Sequence, residues 1–269
     1  MRVGYQGEPG SYSYRASDEL LPGAERVGFA SFVAAFAAMA GGEVERLVLP
    51  IENSTTGSVL PVLDRLVEAP ASIVAEHLVE VRHALLGLPG AGLEDVQTVR
   101  SHPVALGQAE DLLLERGWTA IPTHDTAGAV REVAEMNDPS QAALAPPGSG
   151  EEHGLEILLS EVIDRHHNTT RFVVLAPGEP SIDATDDKTS IAFETSHTAG
   201  ALALALTELG LRGANLTRIE SRPAAERWNY RFFVDLVHPV GEAGLGQVLE
   251  PPPATMTNLH VLGSYQAAE

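Results

Sequence analysis

The sequence predicts an α/β protein: a layered region with a largely parallel sheet, followed by a small βαββαβ (ferredoxin-like) domain. Three observations predict it. Across the first two-thirds of the chain, short apolar runs alternate with Ala-rich or amphipathic stretches, the pattern of strands and helices packed in layers. Residues 177–187 are polar and carry Gly, Pro and several Asp, which is linker chemistry. Beyond them the pattern restarts as a βα unit followed by a ββ hairpin.

Taken in order, Val3-Gly4-Tyr5 reads as a strand, a Gly/Ser turn follows, and residues 12–21 suit a helix. Residues 29–39 are Ala-rich and helical, and Leu47-Val48-Leu49-Pro50 is a buried strand ending in a loop. A helix is expected over 59–68, one or two strands within 72–88, a strand at 96–99 and a helix over 103–116. Strands at 119–122 and 142–145 flank a helix over 126–135, and Phe172-Val173-Val174-Leu175 is a further strand. In the C-terminal part we expect strand 189–194, helix 199–209, strands 214–221 and 229–236, a helix near 244–249 and a strand near 258–263. Pro251-Pro252-Pro253 cannot lie inside a helix and keeps that last helix short.

Composition narrows the function. With 269 residues the chain is long enough for one large or two smaller domains, and its 44% apolar content is that of a globular protein. The net charge of -20 argues against a nucleic-acid or anionic-membrane partner. No cysteine is present, which removes disulfides, thiol catalysis and zinc-thiolate sites. Lys188 is the only lysine, so a phosphate-loop or Schiff-base lysine is not expected. The ten histidines do not fall into metal-ligand spacing, His166-His167 being adjacent and His153 alone. The N-terminus lacks a signal-peptide core and no apolar run is of membrane-spanning length, so a cytoplasmic location is the expectation.

Several polar clusters sit where α/β folds place ligands, between a strand and the next helix. Gly4 to Ser13 is a glycine-punctuated turn that can gather amides for an anion at a helix start; its structural alternative is simple capping by Ser11 or Ser13. Pro50-Ile51-Glu52-Asn53-Ser54-Thr55-Thr56-Gly57-Ser58 follows an apolar strand, and it holds more polar residues than a cap by Ser54 or Thr55 requires. Glu52 is either an acid or an orienter of neighbouring amides. Ser101-His102-Pro103 reads as a cap and turn, and Asp125-Thr126-Ala127 repeats the strand-then-helix placement. The densest cluster is 164–172, Asp-Arg-His-His-Asn-Thr-Thr-Arg-Phe. Alone it is a solvated loop satisfying its own backbone; beside the other clusters it becomes a wall of a binding cleft.

Together these segments resemble prephenate dehydratase fused to a regulatory ACT domain, over nearly the whole chain. The resemblance rests on Gly7-Glu8-Pro9-Gly10-Ser11-Tyr12-Ser13, on Pro50 to Ser54 with Gly57 and Val59, and on Ser101-His102-Pro103 with Ala105, Leu106 and Gln108. Asp125-Thr126-Ala127, and Asp164, Asn168, Thr170, Arg171 and Phe172, extend it. In the C-terminal part it rests on Gly200-Ala201-Leu202, Asn215-Leu216, Glu220-Ser221-Arg222-Pro223, Tyr230, Phe232, Phe233, Asp235 and Leu262 to Tyr265, while residues 197–199 and 237–240 depart from the ACT pattern.

The resemblance implies a two-lobed, periplasmic-binding-protein-like (type II) catalytic domain over 1–180, with a second lobe of about 75–153 inserted in the first, and an ACT domain over 188–269. It implies loss of CO2 and the ring hydroxyl from prephenate to give phenylpyruvate, without cofactor or metal. Thr170 would donate to the departing hydroxyl, with Asn168, Glu52 and Ser54 as catalytic partners. Gly10, Ser11, Tyr12, Asn53, Thr55, Thr126, Arg171 and Phe172 would bind substrate. Arg171 and the amides of Ser11 and Ser54 are read as holding one carboxylate, Arg171 being either that clamp or a structural anchor. L-Phenylalanine would act as effector at Gly200, Ala201, Leu202, Asn215, Leu216, Glu220 and Ser221, in a homodimer or homotetramer. The alternatives are an arogenate dehydratase, which shares these motifs, and a catalytically silent amino-acid sensor of the same fold. A binding protein for export is disfavoured by the absent signal peptide.

Overall fold

The computed structural model describes residues 1–162, 168–224 and 228–268. In chain order the elements are β1 (Arg2–Gln6), α1 (Tyr12–Leu20), β2 (Glu25–Phe29), α2 (Phe32–Ala40), β3 (Arg46–Asn53), β4 (Gly57–Ser58), α3 (Leu60–Leu66), β5 (Ala71–Glu80), β6 (Ala84–Gly87), β7 (Thr98–Ser101), α4 (Pro103–Gln108), α5 (Glu110–Arg116), β8 (Thr119–Pro122), α6 (Thr126–Met136) and β9 (Gln141–Ala145). A 3-10 helix (Pro147–His153) and β10 (Glu156–Leu159) follow. Then come β11 (Thr169–Pro177), β12 (Lys188–Thr195), α7 (Ala201–Leu211), β13 (Asn215–Pro223), β14 (Tyr230–Val237), α8 (Gly241–Leu249) and β15 (Met256–Tyr265). The chain divides into two compact units, one of Met1–Ala35, Glu52–Gly57 and Val79–Thr170, the other of Phe36–Ile51, Ser58–Leu78 and Arg171–Glu269.

The first unit is built on a five-stranded sheet ordered β10-β6-β9-β7-β8. The inner strands β6 and β9 are apolar on both faces because both are covered. Ala142 and Leu144 of β9 enter one core cluster with Val99, Leu106, Leu113 and Trp118. Their alternates Ala143 and Ala145 enter another with Ala129, Val130 and Val133 of α6. The sheet is mixed: β7 is parallel to β8 and β9, while β9–β6 and β6–β10 are antiparallel. Four of the five strands run in one direction, and the sheet departs from the parallel expectation at β6 alone, which runs against both of its neighbours. The N-terminal β1 and β2 pair in parallel around α1. The turn between β1 and α1 contacts the 3-10 helix, through Ser149 Oγ donating to Gly10 O at 3.2 Å, and α6, through Arg131 pairing with Glu8 at 2.6 Å.

β2 is unanticipated. Glu25-Arg26-Val27-Gly28-Phe29 carries too few apolar residues to read as a strand, and it forms by backbone pairing to β1. The helix expected over 103–116 breaks at Ala109, whose φ of -118° leaves the helical range, so that Gln108 closes α4 and α5 starts anew.

In the second unit β3, β11 and β5 lie in the order β3-β11-β5, and β13-β14-β12-β15 form a four-stranded antiparallel sheet. The connectivity β12-α7-β13-β14-α8-β15 is the expected βαββαβ unit. One face of this sheet packs Ile191, Phe193, Val234 and Leu236 against α7 and α8. The opposite face carries a buried charged layer. Asp235 accepts from Ser190 Oγ at 2.7 Å, from Arg218 Nε at 2.8 Å and from Arg171 of β11. Glu76 of β5 binds Lys188 at 2.8 Å and Arg171 at 2.9 Å. α8 ends at Leu249, ahead of the triple proline, as expected from the ring constraint.

Candidate active site

The site grows from the end of β3. Asn53, buried there, turns its carboxamide oxygen to four donors: the amides of Thr55 (2.9 Å) and Thr56 (3.1 Å) and the hydroxyls of Thr55 (2.7 Å) and Thr56 (3.3 Å). This Asx-type turn fixes which end of the carboxamide faces which way. Its Nδ2 therefore donates outward, to Asn168 Oδ1 at 2.7 Å and to Thr170 Oγ1 at 2.9 Å. Asn168 Nδ2 in turn donates to Gln108 Oε1 at 2.9 Å, and Gln108 Nε2 donates to Thr55 Oγ1 at 3.1 Å. The hydroxyl of Thr55 returns to Asn53, closing a ring in which every bond runs in the same sense.

Thr170 hangs from this ring. Because Asn53 donates to its oxygen, the hydroxyl hydrogen of Thr170 is left to donate elsewhere. Backbone pairing holds the segment: Ser54 N donates to Thr169 O at 2.9 Å, Thr169 N donates to Ser54 Oγ at 2.9 Å, and Val81 N donates to Asn168 O at 2.7 Å. Beside the ring lies an open cavity of about 500 Å³, lined by Thr55, Thr56 and Gln108 with Val104, Gly107, Glu110 and Asp111.

Three helix starts of the same unit carry further expected site residues. Gly7 (φ 112°) and Gly10 (φ 81°) take left-handed turns that lead into α1, which Ser11 caps by accepting from Tyr14 N at 3.2 Å. Tyr12 donates its hydroxyl to Arg82 O, and burial raises its phenol pKa well above the ordinary value. Asp125 caps α6 by accepting from Gly128 N at 2.6 Å, which puts Thr126 at the first helical position. His102 caps α4, its Nδ1 accepting from Val104 N at 3.2 Å; burial lowers its pKa.

The structure brings together Asn53, Thr55, Asn168 and Thr170, with Ser54 in the backbone pairing, and leaves Glu52 half-buried beside them at the end of β3. It does not support the expected carboxylate clamp. The Ser11 amide donates to Glu8 O at 3.2 Å and the Ser54 amide to Thr169 O, so both are committed. Arg171 is the structural anchor of the two readings, buried against Glu76 and Asp235. Phe172, at 2% exposure, lies in the core. Asp164 lies outside the described residues. Of the expected effector residues, Gly200, Ala201 and Leu202 line a cavity of about 390 Å³ formed by residues 195–203. Asn215, Leu216, Glu220 and Ser221 lie on the edge strand β13 and are not among its lining.

Two residues gain importance that the sequence did not signal. Gln108 appears in a motif, but its place in the ring depends on a partner 60 residues away. His83 is 3% exposed and stands edge-on to Tyr12 with centroids 5.7 Å apart. Burial pushes its pKa down to about 4. A lone histidine between Arg82 and an apolar run offers no pattern by which to find it.

Comparison with known proteins bears on this geometry. Residues 3–180 match the family model described as prephenate dehydratase. The arogenate dehydratase/prephenate dehydratase 2, chloroplastic, of Arabidopsis thaliana is 38% identical over 277 residues, covering 98% of this chain and 72% of that protein. A bifunctional N-acyl-homoserine lactone acylase/prephenate dehydratase of Komagataeibacter europaeus is 37% identical over 226 residues, covering 81% of this chain and 79% of its own. Among solved structures, the prephenate dehydratase of Arthrobacter aurescens in complex with L-Phe superposes with a TM-score of 0.84 at 28% identity, covering 99% of this chain and 90% of that one.

Proposed function

The chain belongs to the prephenate dehydratase family, and we propose that its ring of Asn53, Asn168, Gln108 and Thr55 holds Thr170 as the hydrogen-bond donor to the hydroxyl that leaves the substrate. It is a hydro-lyase of aromatic amino-acid biosynthesis. In this reaction the bond to the ring carboxylate breaks to release CO2, its electron pair enters the ring, and the ring C–O bond breaks. The hydroxyl departs as water on gaining a proton, and phenylpyruvate remains. Aromatisation supplies the driving force, so the protein needs to hold a dianion and assist the leaving hydroxyl.

The carrying observation is the bond from Asn53 Nδ2 to Thr170 Oγ1 at 2.9 Å. A threonine is too weak an acid to give up its proton outright near neutrality; as a positioned donor it stabilises negative charge growing on the departing oxygen. The carboxylate that is retained falls to the first-turn amides of α1 and α6, whose helix starts carry partial positive charge. The carboxylate lost as CO2 gains nothing from a tight ion pair, since such a pair would favour the ground state. Thr170→Ala is expected to lower phenylpyruvate formation on the order of 10²–10³-fold, and Thr170→Ser to keep partial activity. A fully active Thr170→Ala would refute the assignment.

The finer reading extends to regulation. The catalytic domain takes residues 1–180 in a two-lobed, periplasmic-binding-protein-like arrangement, and residues 188–269 form an ACT domain that senses L-phenylalanine. The βαββαβ topology of β12 to β15 and the L-Phe bound to the Arthrobacter relative support this. The edge position of β13, with Ile219 exposed, and the exposed Leu204 and Leu211 of α7 support assembly as a homodimer or homotetramer. We place the protein in the cytoplasm and take prephenate before arogenate as substrate; relative turnover of the two decides, and titration with phenylalanine tests the effector.

A further inference from the structure

We propose that Glu8 and Arg131 are a positioning pair of the dehydratase site: the ion pair between them holds the start of α1 and the start of α6 at one separation, at which both serve the retained carboxylate. This rests on the dehydratase reading above, which gives that carboxylate to the two helix starts.

The pair joins the two helices next to those starts. Glu8 lies three residues ahead of the cap Ser11, whose amide donates to Glu8 O at 3.2 Å. The guanidinium of Arg131 folds back over the first turn of α6, its Nη2 lying 3.9 Å from where a side chain on Gly128 would begin. Nη1 of Arg131 donates to both carboxylate oxygens of Glu8, at 2.6 and 2.7 Å. In each helix the cap takes one first-turn amide, that of Tyr14 or of Gly128. The amides of the two residues before it, Tyr12 and Ser13 in α1 and Thr126 and Ala127 in α6, have no partner within the helix.

Sequence neighbourhood does not explain the choice of partner. Glu135 stands four residues on in α6, the usual place for an ion pair on a helix surface, yet Arg131 bonds a residue 123 positions away. The turn that carries Glu8 is seated to receive it. Gly7 N donates to Phe29 O at 2.9 Å, and a Cβ on Gly28 would stand 2.6 Å from Gly7 O, so the turn lies close against β2. Pro9 restricts Glu8 to extended backbone, and Ser149 of the 3-10 helix donates to Gly10 O at 3.2 Å. With β2 on one side and the 3-10 helix on the other, α6 is the element that the ion pair adds. Folding stability gains little from it, since the two side chains remain 47% and 36% exposed and solvent screens them.

The test compares the full chain with Glu8→Ala, Arg131→Ala and the exchanged double variant Glu8→Arg/Arg131→Glu. Acting only through their fields on a dianionic substrate, the two charges have opposite effects: loss of Glu8 would tighten binding and loss of Arg131 would weaken it. Acting as a pair, they have the same effect. Both single variants should raise KM roughly 3- to 10-fold with kcat within about 2-fold, and the thermal midpoint should move by less than about 2 °C. The exchanged variant should return KM to within about 2-fold of the unmodified protein. A Glu8→Ala variant with unchanged or lower KM overturns the inference, and so does an exchanged variant as weak as the single ones. A second measurement is independent of turnover. Amide hydrogen exchange of residues 7–12 should quicken at least about 3-fold in both single variants and slow again in the exchanged one, and unchanged exchange overturns the inference whatever the activity. Failure of the unmodified protein to convert either prephenate or arogenate would count against the dehydratase reading, and the exchange measurement would still decide whether the pair holds the turn.

Discussion

Replacing Asp235 by Asn tests the buried charged layer most directly. Asp235 is fully buried and binds two guanidinium groups, Arg218 at 2.8 Å and Arg171, as well as Ser190. Among the described residues the layer holds three cations, Arg171, Lys188 and Arg218, against two carboxylates, Glu76 and Asp235. The Asp235→Asn change keeps the shape of the side chain, but two buried guanidinium groups would then face each other with the neutralising charge removed. Breaking a buried pair in this way costs about 3–5 kcal/mol, a large share of the roughly 5–15 kcal/mol that holds a folded domain together. In urea, with a slope of about 3 kcal/mol/M, the unfolding midpoint should fall by on the order of 1 M, followed by circular dichroism. The exposed pair Arg222–Asp64, at 2.7 Å, is the control: Asp64→Asn should cost less than about 1 kcal/mol because solvent screens it. Acid gives an independent check. Burial would raise the Asp235 pKa, but Arg218 and Arg171 outweigh it and hold the carboxyl below its ordinary value. Its contribution is therefore complete above about pH 3.9 and lost as pH falls below that, a loss Asp235→Asn should lack. An Asp235→Asn midpoint equal to that of Asp64→Asn would refute the reasoning.

Two further outcomes concern stability. His83 has its pKa lowered in the folded protein from 6.5 to about 4, so the unfolded chain binds a proton that the folded one does not across that interval. Stability is then complete above about pH 6.5 and declines as pH falls toward 4, by roughly 3 kcal/mol at about 1.4 kcal/mol per tenfold change. His83→Phe should flatten that decline in urea titrations between pH 7 and 4; an unchanged slope would remove His83 as its source. Gly244→Ala in α8 should destabilise by at least about 1–3 kcal/mol, since a Cβ there would come within 1.6 Å of Pro239 O, and an unshifted thermal midpoint would contradict that packing.

The fold was legible where a face or two faces of an element are apolar. Ala142 to Ala145 reads as a strand because both of its faces are buried, and the C-terminal elements follow from alternation such as Ile191 and Phe193 against Ser190. β2 and β10 escaped because they form by pairing with neighbours and not by their own pattern. The site was legible as polar runs after strands. Its wiring was not, because Asn53 and Asn168 are 115 residues apart and no spacing rule joins them. Arg171 shows the same limit. An arginine in a strand can hold a ligand or a protein carboxylate, and only Glu76 and Asp235, 95 and 64 residues away, decide between the two.

Thr170 and Arg171 are successive residues of β11, so their side chains leave opposite faces of the strand. One joins the ring of amides and the other the buried carboxylates. This division explains why the arginine cannot serve as the anion clamp that its neighbourhood in sequence suggests. A neutral hydroxyl contributes only if it is held where charge develops, and a displacement of about 1 Å can cost 10²-fold in rate. The oxygen of Thr170 is held by Asn53, whose own orientation is set by two backbone amides, while the backbone one residue on is tied down by a guanidinium in two ion pairs. The hydroxyl of the segment is thus the group proposed to meet the substrate, while its guanidinium is spent on protein carboxylates.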